Sequence, residues 1–337
     1  MLSFWIGRSS PAQVPRLVLV ITGAELEAAE DVVRPCVPVT PAYRWPLLEA
    51  VTETPTWVKH ENATPTGAFK VRGGLVYVAR LVVGGRPVSG LVSATRGNHG
   101  QSLAYAGRVH GVPVTIVVPD GNSPDKNAAM QAWGAELVVH GRDFQEAREQ
   151  AAKLAADHGL EMVPSFHRDL VAGVATYAME LHQQAPDLDV VYVPVGQGSG
   201  ICANIAVRDL LGRPTEIIGV VAERAPAHAL SFVAGHSVTT ASADTFIDGV
   251  ATRVPDQDAV EIMVRGAARF IQVSEDAAEE AMRIMWQTTH QMPEPAGALA
   301  LAGLLADTAR TPGAVTAAIM TGGNCDRDFI QRIIPPS

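Results

Sequence analysis

Aromatic residues make up only 5% of this 337-residue chain, and cysteine occurs three times. Basic residues are outnumbered, with 26 Lys and Arg against 35 Asp and Glu. Each scarcity excludes something. Cys36, Cys202 and Cys325 are scattered, with no CxxC spacing, so neither a disulfide framework nor a zinc site is expected, and the chain suits a reducing cytoplasm. A net charge of −9 argues against nucleic acid or an anionic membrane surface as the main partner. It leaves room for a small anionic ligand held by local backbone N–H groups. Long apolar runs are missing too. Leu17 to Ile21 is apolar but too short to span a membrane. No small-residue cleavage pattern follows a basic leader. Residues 1–15 therefore read as a loosely ordered N-terminal extension.

What is present is 47% hydrophobic residues, enough to fill a large core in about two domains. Thr22-Gly23-Ala24-Glu25 reads as a capping box for a helix through Val33, and Pro35 to Pro41 as extended chain. Strands are predicted at Trp57–His60, Leu91–Ala94, Pro113–Val118, Glu136–Val139, Met162–Pro164, Val190–Val195, Ile217–Ala222 and Val315–Met320. Between them, helices are predicted over Phe69–Val82, Asn127–Trp133, Phe144–His158, Val171–Gln184 and Ile201–Leu211. Another is predicted directly after Gly100, and two more over Ala277–Gln287 and Gly297–Ala309. This alternation predicts an α/β chain whose parallel sheets are covered on both faces.

Four segments stand out within that alternation. In TPTGAFKVRGG (Thr64 to Gly74), Lys70 falls where a loop becomes the first turn of a helix. The helix dipole disfavours positive charge there, and a neutral amine is the form that makes a Schiff base with an aldehyde. Taken alone, an exposed surface lysine is the simpler reading. TRGNHG (Thr95 to Gly100) ends a buried strand. Gly196-Gln197-Gly198-Ser199-Gly200 lies between a strand and a helix, the arrangement that cradles phosphate on backbone N–H groups. It lacks the GK[ST] of a P-loop and is a poor dinucleotide fingerprint. Thr321-Gly322-Gly323-Asn324 follows the last strand, where a hydroxyl faces the ligand crevice of an open sheet; a plain turn explains it equally well.

Together, in this order and spacing, the four motifs resemble the fold-type-II pyridoxal-phosphate enzymes, specifically the threonine/serine dehydratase (ammonia-lyase) and serine racemase family. The resemblance runs from about Pro38 to Ile334. AFKVRGG stands where the family has SFKxRGA, TRGNHGQ for SSGNHxQ, GQGSG for GGGGL, and TGGN for SGGN. GNHGQ favours the dehydratase branch over the neighbouring cysteine synthases.

The resemblance implies a tryptophan synthase β-like fold of two open, twisted parallel-sheet domains. A small mobile domain is expected at residues 90–167. A large cofactor-binding domain is expected at 16–89 and 168–337. It implies pyridoxal 5'-phosphate as cofactor, with Lys70 as the catalytic Schiff-base lysine and Phe69 beside the ring. Asn98 would meet the ring hydroxyl, and the N–H groups of Gly196, Gln197, Gly198 and Ser199 would hold the phosphate. Gly249 and Glu294 would lie near the ring, and Thr321 would reach its nitrogen. Thr95, Arg96, Asn98 and His99 would line the substrate side. The implied reaction is β-elimination from a threonine- or serine-like β-hydroxy-α-amino acid, giving a 2-oxo acid and ammonia. A bulkier phenylserine- or hydroxyaspartate-like substrate is in keeping with Thr95-Arg96. β-Replacement or racemisation is the alternative. A non-catalytic small-molecule binder on the same scaffold is the rival from another class. The family's usual homodimer is expected, with no nucleic-acid or membrane partner.

Departures from the family pattern narrow this. Arg96 replaces the serine that delivers a proton to the far face of Cα in racemases, and arginine stays protonated; little racemase activity is expected. Arg96 is either a contact to an unusual β-substituent or carboxylate, or a salt bridge at the loop's edge. Glu223 and Ala227 match part of a divalent-cation site, but Ala229 replaces its aspartate, so no metal is expected. His167, His228 and His290 have no metal spacing, and Cys202 and Cys325 read as packing residues. No regulatory segment follows TGGNCD, so isoleucine-type feedback is not expected.

Overall fold

Leu91–Ala94, Val190–Pro194 and Thr316–Met320 are buried at every residue. A strand buried on both faces needs helices above and below it, and that requirement organises the chain. The computed structural model describes residues 5–6, 21–85 and 88–334. In chain order the first half runs β1 (Trp5–Ile6), α1 (Gly23–Val33), β2 (Ala42–Arg44), α2 (Pro46–Thr52), β3 (Thr56–His60), α3 (Lys70–Val83), β4 (Leu91–Ala94), α4 (Asn98–His110), β5 (Val114–Val118), α5 (Pro124–Ala132), β6 (Glu136–Val139), α6 (Phe144–His158) and β7 (Glu161–Met162). The second half runs α7 (Arg168–Gln184), β8 (Val190–Pro194), α8 (Ser199–Leu210), β9 (Glu216–Ala222), α9 (Ala227–Ala234), α10 (Gln257–Gly266), β10 (Arg269–Val273), α11 (Glu275–Thr289), α12 (Pro295–Ala306), β11 (Thr316–Met320) and α13 (Arg327–Ile333).

Two sheets result. The larger has the order β1-β10-β9-β8-β11-β3-β2, the smaller β6-β5-β4-β7. The smaller is parallel throughout. The larger is parallel from β10 to β3, but its two edge strands, β1 and β2, run antiparallel. The expected parallel sheets are present, with antiparallel pairing added at the two edges of the larger one. β2 has three residues directly after a proline-rich stretch, too few for an apolar run to register. Apart from Trp5–Ile6, the extension expected over residues 1–15 lies outside the described residues, and so does most of the apolar run at 17–21.

The capping box is present: Thr22 Oγ1 accepts from the Glu25 N–H while the Glu25 carboxylate accepts from the Thr22 N–H. α12, PAGALALAGLLA, is apolar all round and largely buried against the larger sheet, as such a helix must be. It stops at Ala306, short of the expected Ala309, because Asp307 turns inward to accept from Tyr192 and Arg269. α9, α10 and β10 fill a region between residues 223 and 275 for which the sequence pattern predicts no element. There the Asp256 carboxylate caps α10, accepting from the Asp258 and Ala259 N–H groups.

α3 carries Lys70 at its first position and packs on α7 at minimal separation. A Cβ at Gly173 would lie 2.2 Å from the Arg72 carbonyl oxygen, and one at Gly73 2.8 Å from that of Leu170. Such closeness buries charges that the helices bring with them. Arg72 donates to Glu61 at 2.8 and 3.0 Å and to Glu180 at 2.9 Å through each terminal nitrogen. Lys59 donates to Glu180 at 2.8 Å and to the Thr40 carbonyl at 2.7 Å. These four side chains are between 0% and 1% exposed. Removing one partner from such a cluster leaves an uncompensated buried charge. Arg72→Ala is therefore expected to cost about 3–5 kcal/mol, read as a lowered urea midpoint with little change in slope.

Candidate functional site

The Lys70 loop is stitched to the end of β11. The Phe69 N–H donates to the Thr321 carbonyl at 3.0 Å, and Ala68 bridges Gly322. The Ser102 hydroxyl of α4 donates to the Lys70 carbonyl at 2.6 Å. The backbone of Lys70 is thus fixed between the two sheets' helices, while its amine lies 4.9 Å from the centre of the Phe69 ring. Burial lowers the pKa of that amine from its usual 10.5 to about 8, with Glu294 opposing the shift. A larger share of neutral amine is present near neutral pH than an exposed lysine provides.

Asn98 opens α4. Its Nδ2 donates to Glu294 Oε1 at 2.6 Å, and its Oδ1 accepts from Asn324 Nδ2 at 2.8 Å. Glu294 is the residue before α12, and burial raises its carboxyl from 4.5 to about 7, against the pull of Lys126, the Asn98 hydrogen bond and Lys70. His99 is held neutral at about 3, first by burial and then by Lys70. Its Nε2 is buried without a hydrogen-bond partner among the described residues.

The glycine loop follows β8. Gly198 has φ +105° and precedes Ser199, the first residue of α8. A Cβ there would lie 2.5 Å from Met263, so the strained backbone and the close packing both require glycine. The first N–H groups of α8 lack intrahelical partners and lie where the helix dipole favours an anion. Gly249 abuts this loop, since a Cβ at Gly196 would lie 2.2 Å from the Gly249 carbonyl oxygen. Gln197 is half-buried beside it.

Thr95 is buried, with its hydroxyl accepting from the Gly97 N–H at 3.2 Å. Arg96 turns outward and pairs with Asp248 at 3.6 Å. Of the two readings open for Arg96, this geometry matches the salt bridge at the loop's edge. Lys126 of α5 reaches the same aspartate at 3.3 Å, and Asp326 at 3.8 Å. Lys126, Asp248, Glu294, Asn324 and Cys325 line a cavity of about 50 Å³. Sequence reasoning assigns no role to Lys126 or Asn324. A signal exists for Lys126, a lysine in the first turn of a helix, the same oddity that marks Lys70. Asn324 offers none, because a side-chain amide after two glycines reads as a turn.

These residues fit pyridoxal phosphate by an observation independent of motif. The Thr321 hydroxyl is buried with no hydrogen-bond partner among the described residues, although buried hydroxyls are normally satisfied. Thr321 is joined through its backbone carbonyl to the Phe69 N–H at 3.0 Å, and its free hydroxyl can bond a ring nitrogen. The N–H groups at the start of α8 can receive a phosphate, and the lowered lysine can receive an aldehyde.

The family model for pyridoxal-phosphate dependent enzymes matches residues 33–322. The L-threonine ammonia-lyase of Thermotoga maritima is 31% identical over 290 residues, covering 86% of this chain and 72% of that protein. The catabolic L-threonine dehydratase of Staphylococcus aureus is 30% identical over 94% of this chain and 92% of its own length. The biosynthetic L-threonine dehydratase of Escherichia coli is 34% identical over 79% of this chain, which spans only 52% of that enzyme. Among solved structures, the T.th. threonine deaminase superposes with a TM-score of 0.84 at 32% identity, covering 91% of this chain and 99% of that one. Maize serine racemase superposes with a TM-score of 0.87 over 93% of this chain and 96% of its own, but its 23% identity speaks to the fold alone.

The raised Glu294 carboxyl has a stability consequence. Between pH 4.5 and about 7 the folded state holds a proton that the unfolded state has released. Its contribution is fully present below pH 4.5 and is lost as pH rises to about 7. In the cofactor-free protein, Glu294→Gln should gain stability relative to the parent steadily across that window and level off above it. Urea unfolding at several pH values checks this, and a pH-independent difference contradicts it.

Proposed function

The chain belongs to the pyridoxal-phosphate dependent enzymes, and from that premise we propose that it is an ammonia-lyase acting on a β-hydroxy-α-amino acid, with L-threonine and L-serine as first substrates. The observation that carries this reading is Lys70, half-buried, its amine lowered to about 8, held at its carbonyl by Ser102 of α4 and next to Phe69, whose N–H is bound to Thr321. The cofactor, when bound, supplies the electron sink that makes the substrate's Cα–H bond acidic.

The chain's own residues do the rest. The N–H groups from Gly196 to Ser199 hold the phosphate at the start of α8. Thr321 Oγ1 meets the ring nitrogen, Asn98 the ring hydroxyl, and Phe69 flanks the ring. Thr95, Asn98 and His99 receive the substrate carboxylate through the N-terminal end of α4. Neutral Lys70 takes the Cα proton. Loss of the β-hydroxyl as water leaves an enamine that hydrolyses to a 2-oxo acid and ammonia. The threonine ammonia-lyases and dehydratases among its relatives support this substrate class.

The same reading takes the enzyme as a cytoplasmic homodimer in which residues 90–167 form the smaller, mobile unit. Closure of that unit over substrate excludes water. The Arg96–Asp248 and Lys126–Asp248 pairs, which cross from the smaller sheet's connections to the larger unit, support such a closed arrangement. Bulkier threo-phenylserine and hydroxyaspartate belong to the proposal through the Thr95-Arg96 segment, where an arginine stands in place of the family's serine.

The deciding experiment is 2-oxo acid release from L-threonine, L-serine, threo-phenylserine and hydroxyaspartate. Release from at least one is expected, with Lys70→Ala reducing it by about 10³-fold or more, the scale of losing a nucleophile that is also the base. Absence of release from all four, in protein that still binds the cofactor, would move the reading to β-replacement. Chiral analysis of the recovered substrate tests the second expectation. Racemisation should fall far below elimination, because Arg96, permanently protonated and paired with Asp248, supplies no exchangeable hydroxyl proton. A racemase rate equal to elimination contradicts it.

A further inference from the structure

TGGN stands out in the sequence for its threonine, but its last residue makes the more unusual contacts. Asn324 Nδ2 donates to the Thr66 carbonyl at 2.8 Å and to Asn98 Oδ1 at 2.8 Å. One amide group thus spans the lysine loop and the start of α4. The orientation is chemically forced. A backbone carbonyl only accepts, so Asn324 must turn its NH₂ toward Thr66. The same NH₂ then requires an acceptor on Asn98, so Asn98 must present its oxygen to Asn324.

That has a consequence for Asn98. With its oxygen engaged, Asn98 can only donate through its remaining atoms. One N–H goes to Glu294 Oε1 at 2.6 Å, and the second has no acceptor among the described residues. Glu294 alone cannot enforce this arrangement. With its carboxyl raised to about 7, it can, once protonated, donate to a flipped Asn98 instead of accepting from the present one. Asn324 has no such freedom. Its approach to the lysine loop also depends on Gly67, which has φ +69° and where a Cβ would lie 2.6 Å from Asn324 Oδ1.

We propose that Asn324 is a positioning residue that locks the Asn98 amide with its free N–H toward the cofactor's ring hydroxyl. The inference rests on the assignment of Asn98 to that hydroxyl. Without Asn324 the Asn98 amide is free to turn its oxygen toward an oxygen of the cofactor, replacing an attraction with a repulsion. Asn324 itself touches neither cofactor nor substrate in this scheme.

The test is a double-mutant cycle on cofactor affinity. Pyridoxal 5'-phosphate is titrated into the cofactor-free forms of the parent, Asn98→Ala, Asn324→Ala and the double variant. The absorption maximum of each loaded form and the thermal midpoint of each cofactor-free form are recorded beside it. Asn324→Ala should weaken cofactor binding by about tenfold, the scale of one hydrogen bond to a charged group. It should shift the absorption maximum in the same sense as Asn98→Ala. The double variant should bind no more weakly than Asn98→Ala alone, because Asn324 acts only through Asn98. Penalties that multiply, or an unchanged affinity in Asn324→Ala beside a weakened Asn98→Ala, overturn the proposal while sparing the assignment of Asn98. Unchanged affinity in Asn98→Ala overturns that assignment and the proposal with it. If Asn324→Ala does not fold, Asn324→Ser enters the same cycle, since a single hydroxyl donor cannot serve Thr66 and Asn98 at once.

Discussion

The four buried charges behind Lys70 are the constraint on which the rest of the site depends. Arg72, Glu61, Glu180 and Lys59 come from α3, the turn after β3, α7 and β3 itself. Stripping four ions of water costs several kcal/mol each, and only near-complete mutual pairing offsets it. The cluster tolerates little displacement for that reason. Arg72 lies two residues beyond Lys70, so the helical turn that carries the lysine cannot shift without separating charges in a dry interior. A surface ion pair in the same place would impose almost nothing. The glycines that let α3 lie against α7 are part of the same device, since side chains there would hold the helices apart and let water reach the charges.

With the backbone held from behind, the front of the site is left electrically quiet. Burial lowers the Lys70 amine and raises the Glu294 carboxyl, so both groups move toward their neutral forms. His99 is neutral for the same reason. Opposite charges pair beside them, where Lys126 and Arg96 face Asp248 and Lys126 reaches Asp326. Two carboxylates and two cations there neutralise one another at the rim. The chain thus places full charges behind and around the reaction chamber, and groups able to exchange a proton near neutral pH inside it.

Much of this was legible in the sequence, for identifiable reasons. Lys70 is marked only weakly by a cation at a helix start; it takes the other three motifs, in their order and spacing, to single it out. The loop ending at Ser199 was legible as a glycine-rich turn between a strand and a helix, which the structure places between β8 and α8. The parallel strands announced themselves as short apolar runs. The buried cluster was not legible. Lys59 and Glu180 stand 121 residues apart, and charged residues are exposed by default; nothing local marks these as the exceptions. β2 is three residues long, and α10 and β10 are separated by only Ala267 and Ala268, so no turn signal divides them. Asn324 escaped because its partners, Thr66 and Asn98, are brought to it only by the fold.

The quiet interior also bears on which reaction such a site favours. In the proposed arrangement the ring nitrogen meets Thr321, a hydroxyl, where a carboxylate would hold that nitrogen protonated. A ring without a full positive charge withdraws electrons less strongly, and negative charge arriving from Cα is poorly stored. A substrate whose β-carbon carries a leaving group can discharge it at once, whereas one without such a group has no comparable outlet. The neutral environment of Lys70 works in the same direction, since a neutral amine can accept the Cα proton without first losing one of its own. Elimination from a β-hydroxy amino acid needs both conditions, a ready base and a short-lived carbanion. Transamination, which needs a long-lived carbanion, would be disfavoured in that arrangement.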